Sequence, residues 1–256
     1  MKAVTFSKDG KILASASSDE TVRLWDPTTG QCLQTIKSHA TSVGMLAFAK
    51  DGSILALASY GHTVQLWDPR TGQCLQILKG HTNAVSAITF SKDGNMLASA
   101  SRDCTVRLWD PTTGQCLQKL KGHRAAVSLI AFSRDGTMMA LSSLDRMMWL
   151  WDPTTGQCLR TYKSHTGVSN LPLLRLGWYL NGDRNTLVLH SRALNTRRNQ
   201  TAREVFVKDT WVTRSTKNIL WIPAEYRGPG SLAIHDNILA LGYMSGRVIA
   251  LEFAFS

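Results

Sequence analysis

The chain has 256 residues, a formal net charge of +11, 43% hydrophobic residues, eight tryptophans and five cysteines. That length suits one large domain or two small ones with a sizeable core, and 18% charged residues is too few for a disordered chain. No apolar run approaches the roughly 18 residues of a membrane span, and the N-terminus lacks the apolar stretch of a secretory signal. A soluble protein, cytoplasmic with the nucleus as an open alternative, is therefore expected.

The elements recur with a fixed period. Leu-Trp-Asp-Pro stands at Leu24–Pro27, Leu66–Pro69, Leu108–Pro111 and Leu150–Pro153, so Trp25, Trp67, Trp109 and Trp151 are 42 residues apart each time. The run that follows, Asp-Pro-Thr-Thr-Gly-Gln-Cys-Leu, is copied with Arg70 as its one change. Residues 1–37 and 85–121 share 28 identities in 37 positions. A repeat array is the first conclusion.

Each unit reads as four short strands. In the third, Val85 to Ser91 alternates and is rich in β-formers, and Lys92-Asp93-Gly94-Asn95 is turn chemistry. Met96 to Ser101 is a strand of small residues, and Arg102-Asp103-Cys104 turns the chain again. Thr105 to Asp110 is the third strand, Pro111 to Gly114 a turn that proline favours, and Gln115 to Lys121 the fourth strand. Four antiparallel strands in about 42 residues, without helical periodicity, predict an all-β array of radial blades.

Gly80-His81 opening a unit and Trp109-Asp110 ending its third strand resemble the WD repeat, as do His39 to Trp67 and His123 to Trp151 at the same spacing, although Ser38 replaces one glycine. The resemblance covers residues 1–163 and implies a WD40 β-propeller. It also implies that His81, Asp103, a second-strand serine such as Ser101, and Trp109 form a buried hydrogen-bond network. His39, His123, Asp19, Asp145, Trp25, Trp67 and Trp151 take the same roles in the other units. In the second unit Gly61 stands where the aspartate should be, so a weaker turn is expected there.

The ends of the array depart from the pattern. The first unit begins inside its first strand, which predicts a ring left without a closing strand. Residues 164–256 are expected to form about two degenerate blades of the same propeller, interrupted by a polar, basic loop at 192–203. Strands are expected at 204–208, 211–214, 218–222, 232–235, 238–243 and 247–253, for about 25 strands, or six blades, in all. Phe206–Arg214, Asn218–Arg227 and Leu239–Val248 resemble the closing segment of fungal NACHT–WD repeat proteins, in which the WD array is the sensor half of a nucleotide-driven switch. No Gly-x-x-x-x-Gly-Lys-Ser/Thr phosphate loop occurs here, so only the sensor half is implied.

No residue set calls for catalysis, a metal or another cofactor. The His, Asp and Trp positions recur in several units, whereas a catalytic set would be one special copy. Cys32, Cys74, Cys116 and Cys158 hold one position in four blades, too far apart for disulfides that tolerate under about 7 Å between Cα atoms, and are expected to be packing residues. Cys104 lies on a turn and is expected to be an exposed thiol. Charge is even along the chain, +6 over 1–163 and +5 over 164–256.

Comparison of the units locates a candidate surface. The loop entering strand one and the loop joining strands two and three share a face, and that face varies: Ser18, Tyr60, Arg102 and Leu144 before the turn aspartate position, and Glu20, His62, Cys104 and Arg146 two places later. Lys2, Gly44, Ser86 and Ser128 vary at the start of strand one. The opposite loops are nearly copies. A non-catalytic scaffold that binds a protein on the variable face is expected, with RNA or another polyanion as the rival and no membrane or small-molecule substrate.

Overall fold

A computed structural model describes residues 2–37, 43–59, 61–133 and 135–163, and beyond them the backbone of seven strands together with the side chains of Ala240 and Val248. The first blade is β1 (Ala3–Phe6), β2 (Leu13–Ala16), β3 (Thr21–Trp25) and β4 (Cys32–Lys37). The second is β5 (Val43–Phe48), β6 (Leu55–Ser59), β7 (Val64–Asp68) and β8 (Gln73–Leu78). The third is β9 (Val85–Phe90), β10 (Leu97–Ser101), β11 (Val106–Trp109) and β12 (Cys116–Leu120), and the fourth β13 (Val127–Ser133), β14 (Met139–Ser143), β15 (Met147–Trp151) and β16 (Cys158–Lys163). Each is an antiparallel meander in chain order. The expected strands of the third unit therefore stand, each trimmed at its ends where turn residues take over.

Three further sets of strands follow. β17 (Leu187–Leu189) pairs in parallel with β13, an addition the repeat pattern did not suggest. β18 (Val205–Lys208), β19 (Trp211–Arg214) and β20 (Lys217–Trp221) form one three-stranded sheet, and β21 (Ser231–His235), β22 (Ile238–Gly242) and β23 (Val248–Glu252) another. All six lie within a residue of the expected segments. The loop expected at 192–203 and the Ser164-His165 pair lie outside the described residues.

The core lies between blades rather than within them. The second strands, LASA, LALAS, LASAS and MALSS, are buried almost throughout, and their small side chains let adjacent blades approach. Leu24 and Ile36 of blade one pack with Leu46, Leu55 and Trp67 of blade two, and Leu66 and Leu78 of blade two with Ile88, Leu97 and Trp109 of blade three. Leu108 and Leu120 of blade three meet Ile130, Met139 and Trp151 of blade four. First strands line the inside: β1 lies against β5, β5 against β9 and β9 against β13. On its other flank β1 lies against β21, where Val4 and Leu13 pack with Ala240, Phe6, Trp25 and Val248.

Candidate interaction face

Blade three holds a complete polar relay in its interior. Trp109 Nε1 donates to Ser99 Oγ at 2.8 Å, and Ser99 Oγ is 2.8 Å from His81 Nε2. His81 Nδ1 lies 2.9 Å from Asp103 Oδ2, which also accepts from the Thr82 N–H. Asp103 Oδ1 accepts from the Thr105 N–H and hydroxyl. The donors run one way, indole to hydroxyl to imidazole to carboxylate, only if His81 is neutral and protonated on Nδ1. Burial pushes its imidazole below the ordinary range against the pull of Asp103. Burial works to raise the Asp103 carboxyl, but hydrogen bonds from Thr105, Thr82 and His81 outweigh it and hold it at about 2.

The serine of this relay is Ser99, not Ser101 as expected. Alternation along β10 turns Ser99 and Ser101 to the same side, but Ser101 is one step nearer the loop. There it donates to the Asn83 carbonyl and accepts from the Asp103 N–H, tying the two variable loops together. The other blades edit the relay. Trp25 donates to Ser15, while Leu57 replaces the serine in blade two and Trp67 turns to Gln65 Oε1. In blade four Leu141 takes that place; His123 Nδ1 keeps Asp145 at 3.0 Å, but His123 Nε2 and the Trp149 and Trp151 indoles are buried without partners. His39 lies outside the described residues. Asp19 accepts from Thr21, as the aspartates of blades three and four cap theirs. At Gly61 no carboxylate is present, and only the backbone part of the turn remains, its N–H donating to Ser59 Oγ as those of Asp103 and Asp145 donate to Ser101 and Ser143.

These relays fix one face of the disc. The Arg102 N–H donates to the Ala84 carbonyl and the Leu144 N–H to Ala126, so the loop between strands two and three is bonded to the loop entering strand one. Blades three and four are linked there by Ser86 Oγ donating to the Val127 carbonyl, and Ser128 Oγ donates to Ser142. The Lys2 N–H donates to Ala16, and Gly44 is half-buried. Ser18, Glu20, His62, Arg102, Leu144 and Arg146 are exposed, and Tyr60 lies outside the described residues. Cys104, expected to be exposed, is half-buried.

Glu20, His62, Cys104 and Arg146 share a backbone state with φ between 63° and 68°. This left-handed conformation costs a residue with a Cβ about 1–2 kcal/mol, and glycine would relieve it. Four units carry four different side chains at this strained place, and none is glycine. The sequence comparison picked out the position but not its conformation.

The opposite face has a structural reason to be constant. In the Asp-Pro-Thr-Thr-Gly turn, Asp110 Oδ1 accepts from the Thr112 and Thr113 N–H groups and Gly114 sits at φ 72°. Gln76 Nε2 of the preceding blade donates to the Thr112 carbonyl, and Gln118 repeats this with Thr154. A Cβ on Gly114 or Gly156 would lie 2.3 or 1.9 Å from that glutamine's Oε1. The turns at Gly114 and Gly156 are thus blade-to-blade joints, a scaffold constraint on their sequence.

Folding also sorts the charge, which the even spread along the chain concealed. Every aspartate of the Asp-Gly and Trp-Asp-Pro turns lies on the constant face. There eight aspartates outnumber the cationic Lys8, Lys11, Lys50, Arg70 and Lys92 among the described residues. The variable face has Lys2, Arg102, Arg124 and Arg146 in its loops and Lys37, Lys79, Lys121 and Lys163 where the outer strands end. Against these eight stand four acids, of which Asp103 and Asp145 are committed to the internal relays. Cys32, Cys74, Cys116 and Cys158 are exposed free thiols on the circumference rather than packing residues, because the outermost strand has no further strand to cover it. Among the described residues no group of three or more potential ligands could hold a metal ion, and no helix is long and apolar enough to cross a membrane.

Radial four-stranded blades with cores between them define a β-propeller. Residues 1–26, 30–68, 72–110 and 114–152 match the model of the "WD domain, G-beta repeat", and the chain belongs to the WD40 repeat family. Repeats of this family generally mediate protein interactions, and its members are typically non-catalytic scaffolds. The chain is similar to nuclear distribution protein PAC1 of Fusarium vanettenii and of Gibberella zeae, 64% identical to each over 31 residues, which is 12% of this chain and 7% of the relative. PAC1 of Coccidioides posadasii is 60% identical over 30 residues, 12% of this chain and 6% of the relative. The chain thus spans under a tenth of these relatives' length, less than one repeat unit.

Proposed function

We propose that this propeller is a non-catalytic recognition module that binds a protein on its variable face. The observation that carries this reading is the row of strained, unlike residues Glu20, His62, Cys104 and Arg146 on a scaffold otherwise copied from unit to unit. Strain kept without glycine at four equivalent sites favours a use for the side chains over drift. Loops tied to rigid blades lose little freedom on binding, which suits a docking surface. His81, His123, Asp103 and Asp145 are engaged inside the relays, which supports a structural role for these repeated residues.

Replacing Tyr60, Arg102 and Leu144 together with alanine should abolish recovery of the native partner in a pull-down from cell extract. Undiminished recovery by a folded variant would sink the reading. The rival, RNA or another polyanion, draws on the cationic excess of the same face. It requires a steep loss of affinity with salt and dependence on Lys and Arg alone. Within the favoured reading, the similarity of the C-terminal segments to fungal NACHT–WD proteins supports a sensor role in an NLR-like protein. Five free cysteines support a reducing compartment, the cytoplasm.

A further inference from the structure

The cationic excess of the variable face is concentrated over blades three and four. Arg102, Arg124 and Arg146 are exposed there, and neither Arg124 nor Arg146 has a carboxylate partner among the described residues. The acids of these two blades on this face, Asp103 and Asp145, are turned inward to His81 and His123. Over blade one that excess is cancelled, where the exposed Asp19 and Glu20 balance Lys2 and Lys37. Among the arginines stands Leu144, 57% exposed and the largest exposure of any bulky apolar side chain described. Hydrogen bonds join these loops into one rigid patch: the Arg102 N–H donates to the Ala84 carbonyl, Ser86 Oγ to the Val127 carbonyl, the Leu144 N–H to the Ala126 carbonyl, and the backbone N–H of Arg124 to Asp145 Oδ2 at 2.9 Å.

We propose that this patch docks a short acidic segment of a protein partner, an extended stretch of Asp or Glu with one bulky apolar side chain seated against Leu144. The proposal rests on the reading of the variable face as a recognition surface and specifies its ligand. Guanidinium groups match carboxylates through paired, charge-assisted hydrogen bonds, and Leu144 supplies an apolar anchor that a purely electrostatic site would lack. Asp19 and Glu20 on the far side repel an acidic chain and so set where the segment ends. A nucleic acid fits less well. Its phosphates would run on toward Asp19 and Glu20.

A random 12-residue peptide library displayed on phage and selected on the full chain tests this. Enriched sequences should be acidic and carry a Leu, Met, Phe or Trp. A synthetic peptide of the enriched sequence should bind at least about tenfold more weakly to the Arg102→Glu/Arg146→Glu variant, and about three- to tenfold more weakly to Leu144→Ala. A charge reversal on the opposite face, Lys8→Glu/Lys92→Glu, should leave binding unchanged, and 12-nucleotide single-stranded RNA should compete poorly. Enrichment without acidic bias, equal loss from the opposite-face variant, or RNA binding tighter than the peptide would overturn the assignment. If these fail while the alanine variant still loses its partner in the pull-down, only the ligand class falls. If the pull-down is also undiminished, the recognition surface falls with it.

Discussion

Ser99 decides how the indole of Trp109 and the imidazole of His81 can both be buried. Its hydroxyl accepts from one and donates to the other, so its removal leaves two buried polar atoms without partners. Ser99→Ala should cost about 2–6 kcal/mol in urea unfolding, since each of the two orphaned groups costs about 1–3 kcal/mol. The relay also sets a pH dependence. His81 and His123 have folded-state values below their unfolded value of 6.5, so the unfolded chain takes up protons first. Stability should hold above about pH 6.5 and fall as the pH drops below it. Protonation of Asp103, held at about 2, extends the loss between about pH 4 and 2. Thermal melts of a His81→Asn variant should show a shallower fall between pH 6.5 and 5. The sequence pointed to His81, Asp103 and Trp109 by spacing, but it could not separate Ser99 from Ser101. Both lie on one side of β10, and only the distance from the loop assigns their partners.

The turns show the same division at the scale of an element. Asp-Pro-Thr-Thr-Gly is legible as a turn because proline cannot serve a ladder and glycine takes positive φ. That the turn is also a joint is not legible, because the contacting glutamine belongs to the preceding blade. Gly30 and Gly114 occupy equivalent turns at φ 71° and 72°, but a Cβ on Gly30 meets nothing within 4 Å whereas one on Gly114 meets Gln76. Gly30→Ala should therefore cost about 1 kcal/mol of backbone strain, and Gly114→Ala about 1 kcal/mol more through the lost Gln76–Thr112 bond. Denaturant melts of the two variants compare the costs directly. Equal losses would remove the joint as the reason for that turn's constancy.

Across the molecule, Val4 and Leu13 of the first blade meet Ala240 of the last sheet, so two ends of the chain share one cluster. A double-mutant cycle of Val4→Ala and Ala240→Gly should show a coupling of at least about 0.5 kcal/mol. Strict additivity would mean that the two sheets do not support one another. Charge behaves likewise as a property of the assembled disc. Along the chain it alternates without pattern, but a meander sends successive turns to opposite faces and so separates aspartate-rich turns from arginine-bearing ones.

By itself the sequence determined the repeat, the four strands of each unit, the blade architecture and the positions that vary, because these follow from local periodicity, turn chemistry and comparison of copies. Only the tertiary structure decided which serine completes the relay, why one set of turns is constant, and that Glu20, His62, Cys104 and Arg146 share a strained backbone. It also decided that a charge spread evenly along the chain becomes cationic on the variable face. These depend on groups from different strands or blades meeting in space, and no spacing along a single chain encodes that meeting.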